Sequence, residues 1–458
     1  MTLQSAMGVS VLVPLLSSSL LMHRSTSAVL RSSSIFVLLI VLVGFIPATA
    51  QSSLSHTTSS ADSTASTGQE TVPSDIRIPF WDDVETAVED HGGDYVGTRD
   101  GRSDLYEQES LVYRDPPPLR YNRVEGLVVG VRRSPLGLAS GDRARIVGQL
   151  AYATALNDVR YTVGLESQLH ATETAGLKIG AMYQEQTLSP NRWQTSYLEN
   201  SLAALGFEHD FFDYYEAEGL SLYAVQEFPH SLRLKGGIRV EDHRSLPVQT
   251  RWSVFEGGGF RSNPAIDEGR LQALFAELTG GSIRDRSDLP TGSAFRVATT
   301  VADGLGGDFA FSRFEADGRL FFPLTRDTRL GLRMRGGYAT GRAPRQAQFT
   351  IGGIGSLRSY DQNAFRGTRA LLGNAEYIID GATVFDNLLD DLFLVAFADA
   401  GWVGGPQDRL RFDDVLPAAG VGVGLDERKI RFDVSWPLRD VPGRGSSPAI
   451  WLRITPNF

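Results

Sequence analysis

The stretch Phe349–Gly367, FTIGGIGSLRSYDQNAFRG, sets one cation apart from its neighbours. Gly352, Gly353 and Gly355 lead into Leu357, Arg358, Ser359 and Tyr360, so Arg358 stands among small residues with no adjacent acid. A guanidinium presented on such a segment suits a planar, multidentate contact with carboxylates. Two acids further along are candidates, Glu376 in ALLGNAEYI and Asp399 in FLVAFADAGWV. The other acidic grouping near an imidazole is His209-Asp210 with Asp213, which by type could hold a metal but is also common in wet turns. The chain has no Cys, which removes thiolate metal sites, disulfides and cysteine nucleophiles. It has no G-x-S-x-G, H-E-x-x-H or P-loop pattern. No enzyme activity, cofactor or metal is therefore expected. A lipase with Ser and His on a barrel wall is the remaining enzymatic alternative, with His170 and His243 near strand ends as its imidazoles.

These residues must be positioned by strands. In KIRFDVSWPL, Ile430, Phe432, Val434, Trp436 and Leu438 fall on one face, with Arg431, Asp433 and Ser435 on the other. In IWLRITPNF, Ile450, Leu452, Ile454 and Phe458 oppose Arg453, Thr455 and Asn457. LRLKGGIRVE and RLGLRMRGGY send Arg233, Lys235 and Arg239, then Arg333 and Arg335, to the polar side. Period two is strand geometry. By the same parity Glu376 shares a face with Leu372 and Asn374, and Asp399 shares one with Phe397 and Gly401. Both carboxylates would then point the same way. A soluble sandwich with one wet face also alternates. About sixteen such segments across residues 119–458, without intervening helices, instead favour an antiparallel transmembrane β-barrel, apolar outward and polar inward. Trp436, Trp451 and Tyr338 are placed like interfacial girdle aromatics, and the chain ends in a strand at Phe458. The segment LENSLAALGFEHDFFDYYEAEG reads either as a strand and turn or as a short amphipathic helix through Leu198, Leu202 and Leu205.

The N-terminal part has a different composition. Ile35 to Ile46 form an apolar run preceded by Arg24 and Arg31 and followed by Pro47 and Ala48-Thr49-Ala50. This is the pattern of a secretory signal peptide over residues 1–50, with Met22 as an alternative start. Residues 51–118 begin as a Ser/Thr-rich linker and close with Pro116, Pro117 and Pro118, forming a short periplasmic N-terminal segment. A formal net charge of -10 argues against nucleic acid as a partner.

The C-terminal third resembles the barrel superfamily of outer-membrane protein insertases and two-partner secretion pores, the bacterial surface antigen family. IGGIGSLRSY matches its hallmark, a Gly-Gly lead-in followed by Leu/Val-Arg-Gly-Tyr/Phe, with Ser359 standing where the family has Gly. ALLGNAEYI, FLVAFADAGWV, AAGVGVGL and IRFDVSWPL follow in the family's wording. The resemblance implies a loop after the eleventh strand that folds into the lumen. It implies that Arg358 holds this loop to the wall through Glu376 and Asp399, with Phe397 beside Tyr360. It implies an integral outer-membrane protein that aids insertion or transport of protein or lipid, with a passive diffusion channel as the alternative. The implied partners are outer-membrane lipid, a client protein or periplasmic partner, and the barrel-assembly machinery, for which Phe458 belongs to the assembly signal. Residues 51–118 offer too little βααββ pattern for a POTRA domain, so the chain resembles the branch without them.

Overall fold

The computed structural model describes residues 116–454 apart from 138–143, 173–174, 230, 256–257, 287–288, 382–391, 426–429, 440 and 442–447. Residues 1–115 and Phe458 therefore lie outside the described residues.

Alternating apolar and polar residues favour strands wherever the two sides of the chain meet different solvents. Here they produce β1 Arg120–Asn122, β2 Gly126–Gly137, β3 Ala144–Ala153, β4 Asp158–Ala171 and β5 Gly176–Leu188. After helix α1, Tyr197–Phe207, come β6 Tyr215–Phe228, β7 Leu232–Ser245, β8 Gly269–Arg286, β9 Leu289–Val301, β10 Phe311–Pro323 and β11 Thr328–Gly341. Two short strands, β12 Phe349–Ile351 and β13 Phe365–Gly367, pair with each other inside the next connection. The remainder is β14 Arg369–Asp380, β15 Phe393–Gly404, β16 Leu416–Leu425, β17 Ile430–Pro437 and β18 Ala449–Ile454. All but β12 and β13 join one 16-stranded antiparallel sheet in sequence order. This agrees with the expected strand number. Five strands of this sheet, β14 to β18, follow the glycine-arginine motif.

The sides of the sheet reverse the usual soluble pattern. Val129, Val131, Leu150, Val163, Leu165, Leu222, Met334, Val421, Phe432 and Leu452 are exposed. Arg296, Arg333, Glu277, Glu315, Asp317, Glu376, Asp399 and Asp433 are buried. Soluble proteins bury the first set and expose the second. A barrel in lipid does the opposite, because its outside is hydrocarbon and its inside is polar. Connections of unequal length support the same reading. The long ones, 189–214, 246–268 and 342–368, share one end of the sheet. The short ones that join β4 to β5, β6 to β7, β10 to β11 and β16 to β17 share the other. In outer-membrane barrels the long loops are extracellular and the short turns periplasmic.

Glycine has a packing role on β16. Gly420 and Gly424 point inward between exposed Val421, Val423 and Leu425. A Cβ at Gly420 would lie 2.2 Å from the Phe397 ring, and one at Gly424 1.9 Å from the Phe393 ring. The repeat AAGVGVGL thus makes room for two rings of β15.

Several expectations are revised. Trp436 and Tyr338 are exposed as girdle aromatics should be, but Trp451 turns inward and its Nε1 donates to the Arg358 carbonyl at 2.6 Å. Its neighbours Ile450 and Leu452 hold the outward positions of β18, which leaves Trp451 the inner face. Ser435 faces inward as its parity requires, and it is fully buried. The ambiguous middle segment is a helix, α1, followed by an extended stretch that enters β6. Ser196 is its N-cap, with its hydroxyl accepting from the Glu199 amide at 3.1 Å. Among the described residues no ladder joins β18 to β1 or β2.

Candidate functional site

The connection between β11 and β14 returns into the interior of the sheet and carries the motif. Gly352, Gly353 and Gly355 adopt φ values of 116°, 86° and 68°, a region L side chains rarely enter. Space matters as much as φ at Gly355, where a Cβ would lie 1.8 Å from the Gln194 carbonyl oxygen. Ser359 is not among the residues with positive φ, so serine replaces the family's glycine without backbone strain. Leu357 and Tyr360 are buried with Trp193, Ile351, Leu372, Leu416 and Ala418. The Tyr360 hydroxyl lies 3.2 Å from the Pro417 carbonyl and 3.1 Å from that of Arg439.

Arg358 is 2% exposed. Its Nε donates to Asp399 Oδ2 at 2.9 Å and its Nη2 to Asp399 Oδ1 at 2.6 Å, a two-pronged contact. Its Nη1 donates to Glu376 Oε1 at 2.6 Å and lies 3.5 Å from Asp433 Oδ2. The backbone amide of Arg358 also reaches Asp399 Oδ2, at 3.3 Å. Burial alone would favour the neutral form, but Asp399, Glu376 and Asp433 outweigh it and hold the guanidinium above its ordinary pKa.

The structure thus brings Arg358, Glu376 and Asp399 together. Phe397 also touches Arg358, whose guanidinium carbon sits 3.4 Å from the ring centroid. The expected contact between Phe397 and Tyr360 is corrected, since Tyr360 stacks edge-on against Phe365 at 5.6 Å instead. The same ring also lies 5.8 Å from the Arg431 guanidinium, so the cations of this cluster share Phe397.

Sequence reasoning missed four members of this cluster. Arg431 donates to both oxygens of Glu376, at 2.9 and 2.8 Å, and to Asp433. Asn374 donates to Asp399 Oδ1 at 2.8 Å and to the Ser356 carbonyl at 2.9 Å. Trp451 completes it through the Arg358 carbonyl. The inward parity of Arg431 and Asp433 was the available signal.

A second charged layer lies on β8 to β11. Glu315 accepts from Arg296, from Arg313 at 2.7 Å and from Arg335 at 3.1 Å. Asp317 accepts from Arg333 at 2.6 Å and Arg335 at 2.8 Å. Trp193, from the connection between β5 and β6, lies against both cations, 5.1 Å from Arg333 and 4.4 Å from Arg335. That connection also clasps the motif loop. Gln362 donates to Gln194 at 2.5 Å, Gln194 to Asn363 at 3.0 Å, and Asn191 to Thr350 at 2.5 Å. Two inward segments thus clasp each other, one against the charges of β10 and β11 and the other against those of β14, β15 and β17.

The remaining candidates are not assembled for chemistry. Asp210 and Asp213 pair with Arg123 and Arg261, while the exposed His209 ring meets the Phe207 carbonyl at 2.8 Å. His243 is buried beside Glu241 and Gln346, not on a lipid-facing wall as a barrel-wall lipase would need.

Residues 92–454 match the Omp85 superfamily domain. Among solved structures, the chain is similar to BamA from Haemophilus ducreyi lacking POTRA domains 1-3, at 13% identity and a TM-score of 0.48, covering 72% of this chain and 68% of that one. It is also similar to CdiB from Acinetobacter baumannii, at 12% identity and a TM-score of 0.39, covering 73% and 57%. CdiB from Escherichia coli gives 9% identity and 0.38, covering 73% and 60%. The chain therefore spans less than two thirds of either CdiB chain. No curated protein matches it in sequence.

Proposed function

Because this chain belongs to the Omp85 superfamily and is an integral outer-membrane β-barrel, we propose that it inserts or translocates protein at the outer membrane, with the Arg358 loop as an internal latch. The observation that carries this is a buried guanidinium on an inward loop, joined to acids on two adjacent wall strands, Glu376 on β14 and Asp399 on β15. A loop held only by packing would not need a charge cluster at its tip. One held by a few charge-assisted bonds has two discrete states, engaged and released, which a client passing the lumen can exploit. No step of this role requires a catalytic group, a cofactor or a metal, and we read the protein as non-enzymatic.

The role of Phe458 as an assembly signal, the cleavage of residues 1–50 and the periplasmic place of residues 51–118 belong to the same proposal. The partners would be outer-membrane lipid, the barrel-assembly machinery for its own insertion, and a client protein or periplasmic partner. Depletion followed by quantitative proteomics of the outer membrane tests the role. A defined set of outer-membrane or secreted proteins should fall. An unchanged proteome, together with steady ion conductance of the purified barrel in planar bilayers, would replace the proposal with a passive channel.

A further inference from the structure

The inner side of β7, β9 and β10 borders a cavity that shares no residue with the Arg358 cluster. It measures about 70 Å³ and is lined by Arg239 and His243 of β7, Arg296 and Thr300 of β9, and Arg313 and Glu315 of β10. Gln346, at the base of the connection that carries the motif, borders it too. A polar space of this size has room for several waters or one small ion. The neighbours Ile238, Val240, Phe295 and Phe314 are the exposed residues of these strands, so the lining belongs to the inward face.

The lining holds more positive charge than its acid can serve. Glu315 divides two oxygens among three guanidiniums. It accepts from Arg296, from Arg313 at 2.7 Å and from Arg335 at 3.1 Å. Glu241 of β7 lies 3.4 Å from His243 but 3.9 Å from Arg239, too far for a hydrogen bond to the latter. A guanidinium has five N–H donors. Among the described residues Arg239 uses one of them in a long bond, from Nη2 to the Thr300 hydroxyl at 3.4 Å. The Nε atoms of Arg239 and Arg313 are both buried, and no acceptor among the described residues meets either. Buried donors without acceptors are rare and costly, and an ion or ordered water ordinarily completes them.

We propose that this cavity binds a small tetrahedral oxyanion, inorganic phosphate or a soluble phosphate monoester. Arg239 and Arg313 supply charged forks, which match phosphate oxygens in geometry and sign, and Thr300 supplies a hydroxyl. Because the lining faces inward, the ligand arrives from water and not as a lipid headgroup. An anion here neutralises cations that Glu315 alone does not. It also joins the wall to the base of the motif connection, where Gln346 Nε2 lies 3.3 Å from His243 Nδ1. The site stands whether or not the Arg358 loop acts as a latch.

Isothermal titration calorimetry of the full mature chain, folded in detergent micelles in phosphate-free buffer, tests this with inorganic phosphate as the probe. The heat should saturate at one phosphate per chain. Arg239→Gln and Arg313→Gln should each weaken binding about tenfold, the loss of one charge-assisted contact. Arg329→Gln, on the inner face of β11 outside the cavity, should bind as the parent does. No saturable heat, as from a cavity that holds water alone, would overturn the proposal, and so would equal affinity in all three variants. Arg313→Gln leaves Glu315 with Arg296 and Arg335, so the wall keeps its ion pairs. A second measurement needs no variant to fold. Phosphate should raise the temperature of the heat-modifiable transition of the parent chain, whereas chloride at equal ionic strength should not. The same shift with both salts would reduce the effect to screening and overturn the site.

Discussion

Replacing Arg358 with Ala is the sharpest test of the latch. Around it stand three carboxylates, Glu376, Asp399 and Asp433, and one further cation, Arg431. Glu376 would keep its two bonds from Arg431, and Asp433 would keep its contacts with the same residue. Asp399 would retain the Asn374 amide but no cation. The loss therefore concentrates on one buried carboxylate, 2% exposed. Breaking a buried pair in this way costs about 3–5 kcal/mol. Loss of the guanidinium over Phe397 adds up to ~2 kcal/mol. The strand ladder does not involve the loop, so the variant should still insert and migrate as a barrel, with its heat-modifiable transition at lower temperature. Chymotrypsin should reach Leu357, Tyr360 and Phe365, which are shielded while the loop is engaged. Asp399→Ala should be milder, because Arg358 keeps Glu376. The double variant Arg358→Ala/Asp399→Ala should be less harmful than the sum, with a coupling of about 0.5–3 kcal/mol. Strict additivity in that cycle and in the one with Glu376, or unchanged protease resistance in Arg358→Ala, would refute the latch.

Gly355→Ala should release the same loop by a different route. Its φ of 68° and the 1.8 Å approach to the Gln194 carbonyl leave no place for a methyl, so proteolysis should rise with every charge intact. Val421→Arg puts a charge on an exposed outward position of β16 and should cost about 2–4 kcal/mol near the bilayer midplane, read as folded yield in vesicles. The same change at Phe412, in a water-facing connection, should leave the yield unaltered. Cleavage after Ala50 should give a mature N-terminus at Gln51 in the outer-membrane fraction, and deletion of Phe458 should lower assembly; an uncleaved chain in the inner membrane would contradict the first.

Period-two alternation is a local property, and it settled which residues face inward before any strand was paired. Glu376, Asp399, Arg431 and Asp433 were all legible as inward residues, and Val421, Phe432 and Ile450 are outward as parity requires. The motif with its three glycines was equally visible, because glycine marks a tight backbone wherever it lies. What parity cannot supply is the height of each residue in the barrel, since that depends on the register of strands far apart in sequence. Register brought Arg431 to Glu376 across 55 positions, and the inward course of the connection between β5 and β6 brought Glu199 to Arg453 across 254. The same heights placed Phe397 under Arg358 rather than against Tyr360, and turned Trp451 onto the motif's carbonyl. The helix α1 illustrates the limit most plainly. Its leucine spacing was legible as a possible helix, but only the tertiary structure sets Ser201 against the Tyr121 amide of β1 and Glu199 against the Ile454 amide of β18.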